Sequence, residues 1–344
     1  MPYCPSNIED TGLTWYLGSL ASSILDLGVP TDLQSRYQET QVARVLKQFI
    51  KIRMLSRSTF VLGMLAFGAS KTLAHSFISN INIDGLLYEG FYPTSPGSHP
   101  FAVGWATTAF DQGYVNQTGY TTPQIICHRG ATNAHAHAEV NAGDRIQLQW
   151  HGWPQSHKGP VMDYLASCGN EDDTCETVNK TDLRFFKIDE MGLLNGTDTA
   201  DGGGGLWATD LLIANNNSWV TEIPPQIKPG PYVLRTEIIA LHNASNPIGA
   251  QNYPQCVNIR VRGSGTLSPN GTLGMDLYNP NDPSMHLNIY AGLSTYKIPG
   301  PPLISVAETV SLSHPVPTGI GPIYTGTGTM PVYPTITATT GAES

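Results

Sequence analysis

The short strand-like segments of this chain restrict its possible folds more than any other feature. Each is rich in β-branched residues or alternates polar and apolar residues, and each is bounded by Gly, Pro or Asn. The clearest are RIQLQW at 145–150, YVLRTEIIAL at 232–241 and CVNIRVR at 256–262. Long loops with turn sequences, such as NAGD at 141–144 and KPGP at 228–231, lie between them. The pattern predicts an all-β fold, an antiparallel β-sandwich of the immunoglobulin or fibronectin type III kind with long loops.

The composition favours a loop-rich secreted protein. Charged residues make up only 13% of the chain, which has 35 Gly and 26 Pro. The formal net charge of −9 becomes −11 without residues 1–74, which hold seven basic and five acidic residues. An acidic chain without a Lys or Arg cluster lacks the surface that nucleic acids require. No apolar run outside 54–74 reaches the roughly 20 residues that span a membrane. We therefore expect a monomer that binds a neutral polymer or small molecule, with no nucleic acid and no membrane partner.

An apolar stretch inside the N-terminal region has the pattern of a secretory signal peptide. Residues 54–74 begin with Met54, continue through an apolar core and end on Thr-Leu-Ala, a small-x-small cleavage pattern. Cleavage after Ala74 would make His75 the mature N-terminus and place the protein outside the cell. Residues 1–53 are then interpreted as an extension of the gene model. If they are translated instead, the apolar stretch is internal and His75 has no free amine.

The remaining chain divides into one domain and a tail. Residues 75–304 are long enough for a substantial core and form the predicted globular domain. Within this domain, 181–189 is the one modest helical candidate. Residues 305–344 are rich in Thr, Pro and Gly, a composition that buries little apolar surface, so a disordered tail is predicted.

Cysteines and glycosylation sequons agree with secretion. Outside the leader there are four cysteines, which predict two disulfides with three possible pairings; they are Cys127, Cys168, Cys175 and Cys256. Six N-x-S/T sequons mark candidate N-glycosylation sites; they begin at Asn116, Asn179, Asn195, Asn216, Asn243 and Asn270.

Several residues have the chemistry of a metal site. A terminal His75 would offer two nitrogen donors, its amine and its ring, which suit a metal that prefers nitrogen ligands. His157 lies in a Gly- and Pro-rich loop after a predicted strand, where binding residues tend to lie. The segment LHNASNPIGAQNYPQC supplies His242, Gln251 and Tyr253. In an extended segment the last two side chains project to the same face, so an amide and a phenol could meet at one site.

A second histidine pair is a weaker candidate. His135 and His137 in NAHAHAEV would share one face of an extended strand, a spacing that could bind a metal. No third ligand is near them in the sequence, so ligation here is the less favoured interpretation.

Five blocks in order carry a family resemblance. They are the mature N-terminal histidine, SHKGPVMDYLASC, WATDLLIANNNSWVTEIPPQIKPGPYVLRTEIIALH, GAQNYPQC and LNIYAGLSTYKIPGPP. With them the chain resembles the fungal lytic polysaccharide monooxygenases of auxiliary activity family nine, formerly glycoside hydrolase family sixty-one. The resemblance implies one copper ion held by a histidine brace. His75 and His157 would be its nitrogen ligands and Tyr253 its axial ligand, with His242 and Gln251 as catalytic residues beside it.

The same resemblance implies an activity and its partners. It implies oxidative cleavage of β-1,4-glucan, that is cellulose, at C1 and/or C4, with an external electron donor and O₂ or H₂O₂. Tyr290 and Tyr296 would bind the substrate, with Tyr296 preferred. The resemblance also selects one disulfide pairing; it joins Cys127 to Cys256 and Cys168 to Cys175.

Two other functions remain as alternatives at this point. A noncatalytic secreted copper-binding protein could keep the histidine brace without the chemistry. A glycoside hydrolase would need two carboxylates on either side of the scissile bond. Asp163, Glu222 and Glu237 are available for that role, but nothing in the sequence pairs them.

Overall fold

The computed structural model describes residues 76–95, 99–198, 202–308, 312 and 318–324. The predicted N-terminal extension, the signal peptide and His75 lie outside these ranges. Two sheets and a small hairpin contain fourteen strands. In chain order these are β1 (Ile78–Ile83), β2 (Leu86–Glu89), β3 (His137–Asn141), β4 (Arg145–Trp150), β5 (Val161–Ser167), β6 (Arg184–Met191), β7 (Leu193–Asn195), β8 (Leu206–Trp207), β9 (Ser218–Glu222), β10 (Gly230–Ala240), β11 (Gln251–Arg262), β12 (Thr272–Leu273), β13 (Gly319–Ile320) and β14 (Ile323–Tyr324).

Helices are short and lie in the connections. Among the described residues, the α-helices are α1 (Gln124–Cys127) and α2 (Ala208–Ala214). Single 3₁₀ turns occur at Gln117–Gly119, Lys180–Asp182, Gly274–Asp276, Pro283–Met285 and Ile289–Ala291. Within the part of the chain that the structure describes, no helix is long and apolar enough to cross a membrane.

The two sheets form the predicted β-sandwich. The five-stranded sheet has the order β13-β2-β1-β4-β9, and the seven-stranded sheet has the order β12-β6-β5-β10-β11-β3-β14. Most neighbours are antiparallel, as predicted. Two pairs are parallel, β3 with β11 and β13 with β2. The two strands of each parallel pair are far apart in sequence. A parallel pair needs such a long connection, because a tight turn can join only antiparallel strands.

The seven-stranded sheet is covered on both faces. One apolar cluster, which includes Leu148, Leu165 and Ile238, lies between the two sheets. A second cluster, which includes Ile126 and Phe185, covers the outer face with side chains from the long connections. Every residue of β10 is consequently buried. A sheet buried on both faces gives near-continuous apolar strands, which is why 232–241 reads YVLRTEIIAL rather than a simple alternation.

The helix predicted over 181–189 is wrong. The chain makes a single 3₁₀ turn at Lys180–Asp182 and then enters β6, which pairs with β5. Phe185 and Phe186 belong to the clusters on opposite faces of the sheet. Pairing with a buried strand and burial of both aromatic rings therefore outweigh the weak local helical preference.

The predicted disordered tail also needs a correction. Residues 318–324 add β13 to the edge of β2 and β14 to the edge of β3, so the tail contributes a strand to each sheet. The Thr318 and Gly321 amides donate to the Gly85 and Leu87 carbonyls. A Cβ atom at Gly321 would lie 2.0 Å from the ring of Tyr88, so only glycine allows this approach. Two short β-bonded stretches therefore extend the ordered domain beyond residue 304.

Both predicted disulfides are present in the implied pairing. Cys127 at the end of α1 is bonded to Cys256 in the middle of β11. Cys168 and Cys175 close a short loop after β5. The first bridge ties the cover of the outer face to the strand that carries Gln251 and Tyr253.

Candidate metal centre

The site begins at the first residues of β11. Gln251 and Tyr253 occupy the first and third positions of this strand, so both side chains project to the same face. The Tyr253 hydroxyl donates a hydrogen bond of 2.8 Å to Oε1 of Gln251. The expected meeting of an amide and a phenol is therefore confirmed.

Two histidines lie together at this end of the sandwich. The rings of His157 and His242 are 4.0 Å apart between centroids and tilted by 31°. The backbone brings them together because the Leu241 amide donates to the Lys158 carbonyl over 2.8 Å. Nδ1 of His157 lies 3.1 Å from the Ser156 hydroxyl. This contact orients the imidazole ring within the loop.

Trp153 joins the histidine to the phenol. Its indole Nε1 donates to the His157 carbonyl over 2.9 Å, which fixes the loop around the imidazole. Its ring stands nearly perpendicular to that of Tyr253 at 5.0 Å and to that of His157 at 6.0 Å. His157, His242, Gln251 and Tyr253 therefore form a connected site around one indole.

A buried ion pair holds the His157 loop from behind. Nζ of Lys158 lies 2.9 Å from Oδ1 of Asp210 and donates to the Gly205 carbonyl at the same distance. Both charged side chains are almost completely buried. At Gly159 a Cβ atom would lie 1.8 Å from the Ile239 carbonyl oxygen, so this position requires glycine. The loop is therefore rigid on the side away from the site.

Burial controls the protonation of the phenol. Tyr253 is fully buried. Desolvation raises its pKa well above the ordinary value. The hydroxyl therefore keeps its proton and remains the donor in the hydrogen bond to Gln251.

The chain just after His75 runs beside the strand end that leads to the His157 loop. Ile78 pairs with Trp150, and the ring of Phe77 stacks on His151 at 4.8 Å. Among the described residues, no group of three or more His, Cys, Asp or Glu side chains is arranged to hold a metal.

The weaker histidine pair does not converge. His135 is exposed and its Nδ1 lies 2.7 Å from Glu176. His137 is buried and its Nε2 accepts a hydrogen bond from the Cys175 amide. β3 begins only at His137, so the shared strand face that the spacing suggested does not form.

The carboxylates of the hydrolase alternative have structural partners. Glu237 is buried and ion-paired with Arg235 at 2.7 Å. Glu222 lies 3.5 Å from Arg145 across the pair formed by β4 and β9. Asp163 is fully buried between the sheets. These positions give no pair of carboxylates at an open cleft, so the geometry does not support glycoside hydrolysis.

The two predicted substrate tyrosines differ in exposure. The ring of Tyr296 packs edge-on against Trp207 at 4.9 Å, and its hydroxyl donates to the Ser284 carbonyl over 3.3 Å. Tyr290 is 53% exposed. Tyr290 therefore presents more of its side chain to solvent than the partly buried Tyr296 does, and the preference for Tyr296 as the substrate residue stays a prediction.

Sequence reasoning missed the residues that support the site. Ser156, Lys158 and Asp210 lie in the family blocks but receive no role from the sequence, and Trp153 lies just before one of these blocks. The sequence signal that could have identified Trp153 is its position four residues before His157. The partner of Lys158 is 52 positions away along the chain and required the structure.

The fold and the site define a class of protein. It is a β-sandwich whose open end carries two histidines, a glutamine and a buried tyrosine, in a chain with two disulfides. The model of Auxiliary Activity family 9 (formerly GH61) matches residues 75–297.

Known proteins agree with this match. The chain is 52% identical over 242 residues to AA9 family lytic polysaccharide monooxygenase A of Talaromyces verruculosus, covering 70% of this chain and 72% of the relative. It is 53% identical over 235 residues to the corresponding protein of Thermoascus aurantiacus, covering 67% of this chain and 99% of that one. A solved structure, the extended catalytic domain of H. jecorina LPMO9A, superposes with a TM-score of 0.66 at 46% identity, covering 72% of this chain and 98% of that one.

The chain belongs to auxiliary activity family 9, the lytic polysaccharide monooxygenases. It is therefore a copper-dependent enzyme that cleaves polysaccharides by oxidation, as the five sequence blocks predicted.

Proposed function

We propose that the mature chain is a secreted monooxygenase that holds one copper ion and cleaves β-1,4-glucan, cellulose, at C1 and/or C4. The proposal rests on one observation: the rings of His157 and His242 lie 4.0 Å apart between centroids, beside the hydrogen-bonded pair of Gln251 and Tyr253. It rests equally on the family, whose members are named for this chemistry.

The donor set fits copper. The amine and ring of His75, Nε2 of His157 and the Tyr253 phenol would hold the ion. Imidazole and amine nitrogens suit copper, and the Ser156 contact at Nδ1 of His157 is the outer hydrogen bond that orients such a ligand. When bound, copper supplies one-electron chemistry that activates O₂ or H₂O₂ with electrons from an external donor.

The protein's own residues supply orientation and proton control. Tyr253 donates to Oε1 of Gln251, which fixes the amide and leaves its NH₂ group as the donor to an incoming ligand. His242 stacks on His157, where its ring can hold or deliver a proton beside the metal position. Trp153 packs against both Tyr253 and His157 and so holds these two side chains in position.

The substrate surface is proposed at Tyr290. An exposed aromatic ring can stack on a pyranose ring of a flat polysaccharide. Tyr290 follows directly after Ile289, which is buried and anchors the turn. Tyr296 packs against Trp207 and donates to the Ser284 carbonyl, and it stays a predicted substrate residue.

Secretion and glycosylation belong to the same proposal. All six sequon asparagines are exposed or partly exposed, so an oligosaccharide could be attached at each. The two disulfides suit an oxidising compartment. Cleavage after Ala74 would create both the secreted chain and its metal-binding amine.

The test is copper binding by the secreted chain together with product analysis. His157→Ala should weaken copper binding by orders of magnitude, whereas Gln251→Ala should keep copper and lose rate. His135→Ala is the matched control, because that histidine is exposed and forms a hydrogen bond with Glu176 rather than with a residue of the site. Copper affinity unchanged in His157→Ala, or a mature N-terminus other than His75, would refute the brace.

Products distinguish the alternatives. Oxidised sugars that form only with reductant support the monooxygenase. Copper binding without oxidised sugar from any glucan would favour a noncatalytic copper protein, and cleavage without reductant would favour a hydrolase.

A further inference from the structure

A short segment of the chain contacts both the loop that carries His157 and the loop that carries the candidate substrate tyrosines. The segment comprises residues 204–210, and we call it the bridge. It includes β8 and the first residues of α2. Its contacts fall into two groups, one with Tyr290 and Tyr296 and the other with the residues that follow His157. The bridge therefore joins the two parts of the proposed active site.

The first group of contacts supports the tyrosines. Gly204 lies against the ring of Tyr290, where a Cβ atom added to the glycine would be 3.1 Å from Cε1 of the ring. Gly204 has a φ of 90°, which lies in the region that favours glycine. Its carbonyl accepts a hydrogen bond of 2.7 Å from the Trp207 indole, and the ring of Trp207 packs against Tyr296 at 4.9 Å. A shift of the bridge would consequently disturb the packing of both tyrosines.

The second group of contacts holds the chain just after the metal-binding histidine. Nζ of Lys158 donates to the Gly205 carbonyl and to Oδ1 of Asp210, each over 2.9 Å. The Gly159 amide donates to the Thr209 hydroxyl over 3.0 Å, and the Thr209 amide donates back to the Gly159 carbonyl over 3.3 Å. A charged side chain and a pair of backbone groups therefore tie residues 158–159 to the bridge.

The burial of a charged lysine beside His157 indicates a geometric role. Lys158 is only 3% exposed. Replacing a buried ion pair by apolar residues of similar volume is often neutral or stabilising, so stability alone does not explain a lysine at this position. Its hydrogen bonds are directional, however, and Asp210 is itself fixed because its Oδ2 accepts a bond of 2.7 Å from the Trp207 amide. The ion pair therefore sets where the backbone beside His157 lies relative to the bridge.

We propose that Lys158 is a positioning residue, which acts through the bridge to hold His157 in place relative to the loop of Tyr290. The inference rests on the proposed function, in which His157 is a metal ligand. A working metal site needs its ligands within about 0.5 Å of the productive geometry. The bond from Trp153 to the His157 carbonyl lies within the loop and only shapes it. The bonds of Lys158 and Gly159 tie that loop to residues about 50 positions away along the chain.

The experiment compares the Cu(II) electron paramagnetic resonance spectrum, the copper stoichiometry and the rate of oxidised-sugar release from cellulose. The variant Lys158→Met/Asp210→Asn makes both partners neutral, so no buried charge is left unpaired. The matched control is Lys187→Met/Glu190→Gln, since Nζ of the buried Lys187 likewise binds a carboxylate, at 2.6 Å, and a backbone carbonyl, that of Pro299, at 2.8 Å. We expect the first variant to bind one copper ion with a shifted copper hyperfine coupling and to act about tenfold more slowly. The control should keep the wild-type spectrum and rate.

A second variant keeps the test decisive if the first one does not fold. Thr209→Val removes only the hydroxyl that accepts from the Gly159 amide, and it should shift the spectrum by a smaller amount. A wild-type spectrum in the folded bridge variants overturns the proposal, and so does an equal shift in the Lys187 control. Failure of the proposed function looks different, because His157→Ala would then keep its copper. Loss of copper in His157→Ala together with wild-type spectra in the bridge variants refutes the positioning role alone.

Discussion

A pair of buried carboxyl groups makes the stability of the sandwich depend on pH. Asp163 in β5 and Asp189 in β6 lie directly opposite each other, and both are almost completely buried. The Trp219 indole donates to Oδ2 of Asp189 over 2.8 Å. Burial raises the pKa of Asp189 to about 6. Burial, and then the charge of Asp189, raise the pKa of Asp163 well above its usual range.

The sign and size of the effect follow from these values. A raised pKa means that the folded state holds the proton more tightly than the unfolded state. The stabilisation is therefore complete below the unfolded pKa and is lost as pH rises through the folded pKa. For Asp189, a pKa raised from 3.8 to about 6 corresponds to about 3 kcal/mol. Asp163 acts in the same direction, so the pair favours the folded domain at mildly acidic pH.

The perturbation is Asp189→Asn, measured by urea unfolding at pH 4, 5, 6 and 7.5. The amide oxygen of the new side chain can still accept the hydrogen bond from Trp219. The substitution removes the ionisation of residue 189 and with it the effect of that charge on the pKa of Asp163. We expect the loss of unfolding free energy between pH 4 and pH 7.5 to be smaller than in the wild type by about 3 kcal/mol. Asp172→Asn, at an exposed carboxyl, is the control. Parallel pH curves for wild type and Asp189→Asn would show that the pair does not titrate as argued.

Three further predictions concern stability. Glu237→Gln should destabilise the domain by about 3 to 5 kcal/mol in urea unfolding, because it leaves the buried Arg235 cation without its partner; a loss below 1 kcal/mol would contradict this. Gly321→Ala should lower the melting temperature of the full chain toward that of a form truncated before residue 318, since the added Cβ meets the buried tyrosine ring of β2; an unchanged melting temperature would contradict this. Cys127→Ser, which opens the bridge to Cys256 across 129 residues, should cost about 5 kcal/mol in the chain-entropy description, and equal stability with and without reductant in the wild type would refute it.

The sequence predicted the parts of the molecule whose determinants are local. Alternation and turn residues placed β4 at its observed bounds and located β10 and the end of β11. Period-two geometry placed Gln251 and Tyr253 on one face, which the hydrogen bond between them confirms. The disulfide pairing came from the family resemblance alone, because spacing left three possibilities open.

Other features depend on distant segments and could not be predicted from the sequence. Tyr290 and Tyr296 are six residues apart in one loop, and their different exposure depends on the packing of Trp207 against Tyr296. The tail composition predicted disorder, yet β13 pairs with the edge strand β2 and β14 pairs with the edge strand β3. Backbone pairing to an existing edge needs little apolar area from the added strand, and composition does not reveal it.

The register of β11 connects the buried core to the site. Asn252, between Gln251 and Tyr253, points to the opposite face, where its Nδ2 donates to Oε1 of Glu237 over 2.8 Å. Its Oδ1 accepts from the Tyr120 hydroxyl over 2.6 Å. A shift of one residue would exchange the faces, moving the phenol and amide out of the site and burying them against the Arg235–Glu237 pair. The buried polar network that takes no part in the proposed chemistry therefore helps to specify which side chains of β11 face the candidate metal site.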